Sequence, residues 1–383
     1  MPRAEDYTLG VEEEYQLVDA ATGALRSHAR YVIEGDWADE LKGEMQEHTV
    51  EVETGVCERT GCVRDDLRRL RFTAAVAAQA AGMRVLAAGT HPFSAAEGHA
   101  FNPAPVYQSL RQTYRRLAES QAIFGMHIHV GVPEGRDRAK VSNVVRLHLP
   151  LLLALTASSP YFQGRDTGYA SYRSILWRRW PRTGAPPRFA DEAEFRAVVR
   201  WLVQSERIDG PGRLYWDLRP HHLYPTVEVR VADCTPRLED AIAVAALTRA
   251  VVAGAAEGVL RDSPLPDALL QTVLGDNLWR ASRFGTRAVR GDVERAEPST
   301  VSVADAVLRL AERVEPVAAA LGDGDELARV PELVARGGAA DAIRARAAAA
   351  EGDMAGVALW MADETVVGTG MDRRSRQRLE ETV

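Results

Sequence analysis

The sequence has almost no lysine: Lys42 and Lys140 stand beside an abundance of arginine. It contains no GxxxxGK[ST] segment, which excludes the phosphate-binding loop of P-loop nucleotide-binding proteins. With two lysines, a catalytic Schiff base is also disfavoured. Any phosphate contact must therefore come from arginine, whose planar guanidinium can bind phosphate through two parallel hydrogen bonds.

Cysteine is equally scarce, and Cys57, Cys62 and Cys234 form an odd set without a CxxC pair. We therefore expect reduced, mostly structural thiols rather than a zinc site or a disulfide framework. The richest apolar run, residues 147–157, is shorter than a membrane span. The N-terminus leads directly into a predicted strand, so we expect no signal peptide and predict a cytoplasmic location.

Length and composition favour a globular enzyme-sized chain. It has 383 residues, 46% hydrophobic and 26% charged, and a net charge of −7 that argues against nucleic-acid binding. No repeat or linker divides it, so we predict one catalytic domain, residues 1–368. Its sheet-rich part extends to about residue 235 and its helical part covers residues 236–368. The charged tail, residues 369–383, is expected to be frayed.

The segment Thr8–Val18, TLGVEEEYQLV, is predicted to be a strand with two different faces. Because strand side chains alternate, Glu12 and Glu14 share one face behind a glycine. Two neighbouring carboxylates repel each other unless a cation lies between them, although a solvent-exposed face is the plain alternative. The opposite, apolar face contains Leu9, Val11, Tyr15 and Leu17, with Glu13 as the exception.

Three further segments repeat this design, with an aliphatic face opposite a polar one: Glu44–Glu53, Ile123–Val132 and Thr226–Asp233. Their simpler alternatives are an edge strand with solvated glutamates, core histidines and a surface ion pair. The polar faces carry Glu47, Glu51, His127, His129, Glu228 and Arg230. A long polar segment, Ser158–Trp177, is typical of a functional loop and contains Arg173, a candidate to bind phosphate or carboxylate.

If these four strands share one antiparallel sheet, their polar faces form a single basin. Its lining would be Glu12, Glu14, Glu44 or Glu47, Glu51, His127 and Glu228. So many carboxylates in one cavity are strongly unfavourable without cations. An oxygen-rich set suits Mg²⁺ or Mn²⁺ better than Zn²⁺, and arginines beside it are typical of phosphoryl transfer from ATP.

Seven segments, in order, resemble the carboxylate–amine ligases of the glutamate–cysteine ligase type 2 family: TLGVEEEYQL, EHTVEVETGVC, GTHPF, GMHIHVG, SSPYFQGRDTGYASYR, WDLRP and TVEVRVAD. They span roughly Thr8 to Asp233, and the helical C-terminal part carries less signature. The resemblance implies an α+β, glutamine-synthetase-like fold, in which a curved, mainly antiparallel sheet forms a half-open barrel flanked by helices. It also implies ATP-dependent amide formation with Mg²⁺.

The resemblance further implies roles for individual residues. Arg173 and Arg230 match arginines that contact the substrate carboxylate or the ATP phosphates. Family members often have aspartate at the position of Glu44, and Glu47 is the alternative residue for this ligand. Glu13 lies at a variable position and receives no chemistry. The implied metal ligands are Glu12, Glu14, Glu44, Glu51, His127 and Glu228.

The prediction is thus a ligase that joins the γ-carboxylate of glutamate, or of a similar acid, to cysteine or another amine through an acyl phosphate. The prediction includes an enzyme that turns over cysteine only weakly. One alternative is a metal-dependent phosphotransferase on the same fold. Another is a silent nucleotide- or metal-binding regulatory homologue. The expected partners are small molecules, without nucleic acid or membrane, and a homodimer is the usual assembly of such enzymes.

Overall fold

A large antiparallel sheet dominates the computed structural model, which describes residues 2–34 and 39–371. Seven strands form this sheet in the order β2-β3-β1-β5-β9-β8, with β4 beside β1, while β6-β7 and β10-β11 pair separately. The strands are β1 Leu9–Asp19, β2 Lys42–Gly43, β3 Thr49–Glu53, β4 Met83–Leu86, β5 Gly125–Gly131, β6 Tyr161–Phe162, β7 Arg165–Asp166, β8 Leu218–Pro220, β9 Thr226–Asp233, β10 Val289–Gly291 and β11 Thr300–Ser302.

Strand β1 lies at the centre of the sheet. One edge pairs with β3, and the other pairs first with β5 and then with β4. The end strands β2 and β8 are not paired with each other among the described residues, so the sheet stays open. The predicted faces are also present, because Leu9 and Val11 lie in the apolar core while Glu12 and Glu14 lie on the opposite side.

A β-bulge lies in the pairing of β5 with β9. Two residues of β9, Arg230 and Val231, stand opposite the single residue His127 of β5. A bulge bends its strand and increases the local twist, and it can redirect a side chain. Here it contributes to the curvature of the sheet and leaves Arg230 Nη1 3.5 Å from His127 Nδ1.

Helices cover the apolar side of the sheet. The long helix α9 is rich in alanine and valine and is buried along almost its whole length, so its neighbours can approach closely on every side. The helices are α1 Ala29–Ile33, α2 Thr60–Ala80, α3 Pro105–Tyr114, α4 Arg116–Glu119, α5 Arg138–Val145, α6 Leu149–Thr156, α7 Tyr172–Trp177, α8 Glu192–Gln204, α9 Leu238–Ala256, α10 Asp267–Phe284, α11 Val303–Leu321, α12 Gly324–Leu327, α13 Val330–Arg336, α14 Ala339–Ala349 and α15 Met354–Thr365.

One strand differs from the prediction. The strand predicted over Glu44–Glu53 begins only at Thr49, because the preceding residues turn between β2 and β3. The apolar run 147–157 contains α6, which a short 3-10 turn separates from α5. Pro150 lies in the first turn of α6, where its missing N–H costs no helical hydrogen bond.

The prediction that all three cysteines are reduced is wrong for Cys57 and Cys62, which form a disulfide. The backbone of Cys57 pairs with Leu9 of β1, while Cys62 lies in the first turn of α2. This connection brings their Cα atoms to 5.7 Å, a usual separation for a disulfide. Cys234 is a buried free thiol, as predicted.

Glu13, the exception on the apolar face of β1, lies in a fully buried ion pair with Arg71 of α2. Arg71 donates to both carboxylate oxygens at 2.6 and 2.9 Å, and Tyr15 donates its hydroxyl to the same carboxylate. The remaining guanidinium hydrogens reach the backbone carbonyls of Thr235, Pro236 and Thr365. The pair therefore joins β1 to α2 and to both ends of the helical part.

The apolar core includes residues of both predicted parts of the chain. Its largest cluster extends from Tyr7 to Leu333, and α9 packs against β5 as well as α2 and α11. The division into one catalytic domain stays a prediction; residues 372–383 of the predicted tail lie outside the described residues. In the described part of the chain, no helix combines the length and the apolar character that crossing a membrane requires.

Candidate functional site

A cavity of about 250 Å³ opens on the polar face of the sheet. It is lined from β1, β3, β5 and β9, because alternation turns every second side chain of these strands to this side. The structure thus brings together most of the predicted site residues. Those in the lining are Glu12, Glu14, Glu44, Glu51, His127, Arg173 and Arg230.

Glu12, Glu51 and His127 form the tightest cluster of this cavity. Each offers a ligand atom, and these three atoms all lie within 4.8 Å of one another. His127 Nδ1 is 2.8 Å from Glu12 Oε2, and His129 Nε2 is 3.0 Å from Glu12 Oε1. Burial, with the charge of Arg230, lowers the pKa of His127 to about 4, so its imidazole is neutral at pH 7. Two carboxylates and a neutral imidazole are donors suited to a divalent cation.

The other carboxyl groups of the cavity crowd each other. Burial and the charge of Glu44 raise the pKa of Glu14 to about 7. Burial likewise raises the pKa of Glu44, and burial with neighbouring carboxylates raises the pKa of Glu51 well above its ordinary value. Burial also acts to raise the pKa of Glu12, but hydrogen bonds from His127 and His129 hold it below its usual range. Charging this whole group requires compensating positive charge.

Arg173 reaches the cavity from α7, at the end of the long polar segment. Its guanidinium lies over Gly125, where any Cβ atom would overlap with Nη2. Asp233 lies 3.7 Å from Arg173 Nη1, and its carboxylate accepts hydrogen bonds from the hydroxyls of Ser159 and Ser171. Because Gly125 has no side chain, the Arg173 guanidinium has room to lie against β5. The hydrogen bonds to Asp233 fix the segment to β9.

Glu228 differs from the other predicted ligands, because it is not part of the cavity lining. It is 1% exposed, and Arg219 Nε donates to its Oε2 at 2.6 Å while Arg230 donates to its Oε1. Although burial acts to raise its pKa, the charges of Arg230 and Arg219 lower it strongly. In this arrangement Glu228 orients Arg230, and its role as a metal ligand stays a prediction.

The alternatives Glu44 and Glu47 occupy different places. Glu44 lines the cavity from the turn before β3, with Tyr107 donating to its Oε1 at 3.4 Å. Glu47 is buried outside the lining, where its carboxylate accepts the backbone N–H of Arg30 at 3.0 Å. The position of Glu44 therefore fits the predicted site better.

Several residues of the site were not assigned from the sequence. Trp177, Trp180 and Tyr215 form an aromatic wall of the cavity, with ring centroids 5.5 to 6.1 Å apart. Arg219 is the direct cross-strand neighbour of Glu228. The available signal for Arg219 was its place in the WDLRP segment, next to a strand with an acidic face. Trp177 ends the polar segment Ser158–Trp177, Trp180 follows three residues later, and Tyr215 directly precedes WDLRP. Nothing in the sequence indicated that these three side chains form one wall.

Known relatives match this chain over most of its length. The sequence model of glutamate–cysteine ligase family 2 matches residues 8–359. A protein of Sorangium cellulosum with the provisional name glutamate–cysteine ligase 2 is 38% identical over 340 residues, covering 88% of this chain and 90% of that protein. A Herpetosiphon aurantiacus protein with the same provisional name is 33% identical over 373 residues, covering 97% and 96%.

Solved ligase structures share the fold. Glutamate–cysteine ligase of Francisella tularensis in complex with AMP has a TM-score of 0.71 at 14% identity, covering 98% of this chain and 92% of that chain. A bifunctional glutathione synthetase of Pasteurella multocida has a TM-score of 0.67 at 15% identity, covering 97% and 53%. The predicted glutamine-synthetase-like fold is confirmed. With the family match over residues 8–359, the chain belongs to glutamate–cysteine ligase family 2 and is an ATP-dependent ligase of that type.

Proposed function

We propose that this ligase joins the γ-carboxylate of glutamate, or of a similar acid, to the amine of cysteine or another amine. The observation that carries the proposal is the convergence of Glu12, Glu51 and His127 with two arginines in one cavity. Family membership supports the same reaction class. The provisional names of the relatives support glutamate and cysteine as the substrates, and the AMP bound to the Francisella tularensis enzyme supports a nucleotide as the third.

The donor set fits Mg²⁺, with Mn²⁺ as a substitute. Glu12, Glu51 and His127 would hold one ion, and Glu14 and Glu44 extend the carboxylate surface for another. Bound there, such an ion would supply positive charge to offset that of the ATP phosphates and of the transferring phosphoryl group. The raised pKa values of Glu14, Glu44 and Glu51 support this fit, because a cation would favour their charged forms.

The proposed reaction has two steps. A carboxylate oxygen of the acid attacks the γ-phosphorus of ATP, and ADP leaves, which gives an acyl phosphate. The amine nitrogen then attacks the acyl carbon, phosphate leaves, and the nitrogen loses a proton. Arg173 and Arg230 offset the negative charge that develops on the transferring group. No side chain of this protein forms a covalent bond in either step.

Gly125→Ala is expected to lower kcat/KM for ATP-dependent amide formation by roughly 100-fold, as an ångström-scale misplacement of a catalytic group can. The added methyl group would displace the Arg173 guanidinium from the cavity. Steady-state ADP release measures the effect. Gly10→Ala is the matched control, since its Cβ atom would approach nothing closer than 4.0 Å on the same face. Wild-type kinetics for Gly125→Ala would refute the placement of Arg173 in the reaction.

Product analysis tests the proposed function directly. The protein is incubated with ATP and Mg²⁺ across panels of acids and amines, with ADP release and mass spectrometry as readouts. ADP that requires both glutamate and an amine, together with a condensed product, is the expected result. ADP with a single substrate and a phosphorylated product would instead identify a phosphotransferase. Absence of turnover with every pair, despite ATP binding, would identify a silent homologue.

A further inference from the structure

A second cavity, of about 430 Å³, lies in the helical part of the chain. It is bounded by the start of α6, the β10-β11 hairpin, α11 and the segment after α9. None of its lining residues lines the candidate active site. Its cationic and imidazole groups are His148, Arg261, Arg290, Arg295, Arg309 and Arg313.

Two of these groups are buried with nitrogen atoms that lack hydrogen-bond partners. Arg290 is 2% exposed; its Nη2 lies 3.8 Å from Glu294 Oε2, but its Nε and Nη1 atoms have no hydrogen-bond acceptor among the described residues. His148 is 1% exposed, and within the same part of the chain neither ring nitrogen has a hydrogen-bond partner. Buried polar groups are rarely left unsatisfied, because each costs the desolvation of its N–H or nitrogen. Both side chains line the cavity, so a ligand there would satisfy them.

The cavity also has an excess of positive charge. It contains five arginines against three carboxylates, Asp262, Asp292 and Glu294. Asp262 is already paired at 2.9 Å with Arg188, which lies outside the lining. Glu294 lies 2.5 Å from Arg313 and 3.8 Å from Arg290, and Asp292 lies 3.5 Å from Arg295. Arg261 and Arg309 have no ion-pair partner in residues 2–34 and 39–371. An anion of more than one charge would balance this set.

The cavity is held in shape by its surroundings. Asn277 of α10 donates to the carbonyl of Gly291 at 2.9 Å and accepts its N–H at 2.8 Å, which fixes the end of β10. In the hairpin, Arg290 of β10 is the cross-strand neighbour of Val301 of β11. Apolar side chains complete the lining, among them Leu151, Val301 and Leu310. The volume and this apolar surface exceed what a free phosphate ion can fill.

We propose that this second cavity binds a small organic molecule that carries a phosphate group. The phosphate lies against Arg290, Arg309 and His148, since guanidinium groups match phosphate oxygens through paired hydrogen bonds. The carbon part of the molecule lies against Leu151 and Leu310. The site is separate from the cavity in which ATP is turned over, and it does not depend on the identity of the acid or amine.

Isothermal titration calorimetry with phenyl phosphate tests the proposal on the full chain without nucleotide or Mg²⁺. Arg309→Ala is expected to weaken binding about 10-fold or more, the usual loss for one charge-assisted hydrogen bond. Arg200→Ala, an exposed arginine of α8, is the matched control and should leave binding unchanged. Inorganic phosphate is expected to bind more weakly than phenyl phosphate. Equal affinities for the two probes, or an unchanged affinity in Arg309→Ala, would overturn the proposal.

Arginine modification locates the site without any substitution. Phenyl phosphate should slow the reaction of Arg261 and Arg309 with phenylglyoxal, mapped by mass spectrometry, and leave Arg200 unaffected. Protection of Arg173 and Arg230 instead would place the bound phosphate in the active-site cavity and refute the second site.

Discussion

Glu51→Gln is expected to reduce kcat/KM for ADP release by more than about 100-fold, exceeding the usual 10- to 100-fold cost of removing a group that only orients a metal ligand. Glu51 shares the tightest cluster with Glu12 and His127. Glutamine keeps the shape of the side chain but removes its negative charge. The loss should become smaller as the Mg²⁺ concentration increases, because the substitution weakens metal binding before it changes the reaction.

Glu53→Gln is the control for this substitution. Glu53 lies two residues further along β3, is 39% exposed, and is paired with Lys42 outside the active-site cavity. Its replacement should change kcat/KM by less than about two-fold, as for an exposed ion pair. If Glu51→Gln retains the activity and the Mg²⁺ dependence of the wild type, the cluster has been assigned wrongly.

Arg71→Met is expected to lower the free energy of unfolding by about 3–5 kcal/mol, the usual cost of removing one partner of a buried ion pair. The substitution leaves the Glu13 carboxylate without its cation at a position with no solvent access. It also removes the donors to three backbone carbonyls, those of Thr235, Pro236 and Thr365. Denaturant unfolding, followed by tryptophan fluorescence and circular dichroism, measures the change.

Arg69→Met is a matched control on the same helix. Arg69 is 49% exposed and paired with Glu40 and Asp66, so its removal should cost less than about 1 kcal/mol. Equal losses of stability in the Arg69 and Arg71 variants would show that the buried pair contributes no more to the free energy of unfolding than an exposed one. Because Glu13 turns away from the cavity, folded Arg71→Met protein should retain its metal affinity.

Local periodicity was sufficient to predict the strands that carry the site. In β1, the alternation of apolar residues with Glu12 and Glu14 specifies both the strand and its two faces, because burial of one face fixes the register. The same pattern located His127 on β5 and Glu228 on β9. These predictions depend on neighbours within one strand, and neighbours within a strand are visible in the sequence.

Contacts between distant segments were not visible in the same way. Glu13 looked like an exception on an apolar face because its partner Arg71 lies 58 residues further along the chain. Glu44 was assigned to a strand, yet it reaches the cavity from a turn whose course depends on the packing around Tyr107. The disulfide was missed for a related reason: the pairing of Cys57 with β1 and the start of α2 together determine the approach of Cys62.

The extra residue of β9 exchanges even and odd positions along the strand. Before it, the even-numbered Glu228 shares a face with His129; after it, the odd-numbered Asp233 shares that face with Gly125. The number of residues in β9, as well as their chemistry, therefore decides which side chains reach the cavity. Deleting one residue between Glu228 and Asp233 would remove the bulge and leave Asp233 four positions after Glu228, opposite Gly125 and on the same face. Such a deletion would therefore keep Asp233 on the cavity face, but β9 would lose the bend that the bulge provides.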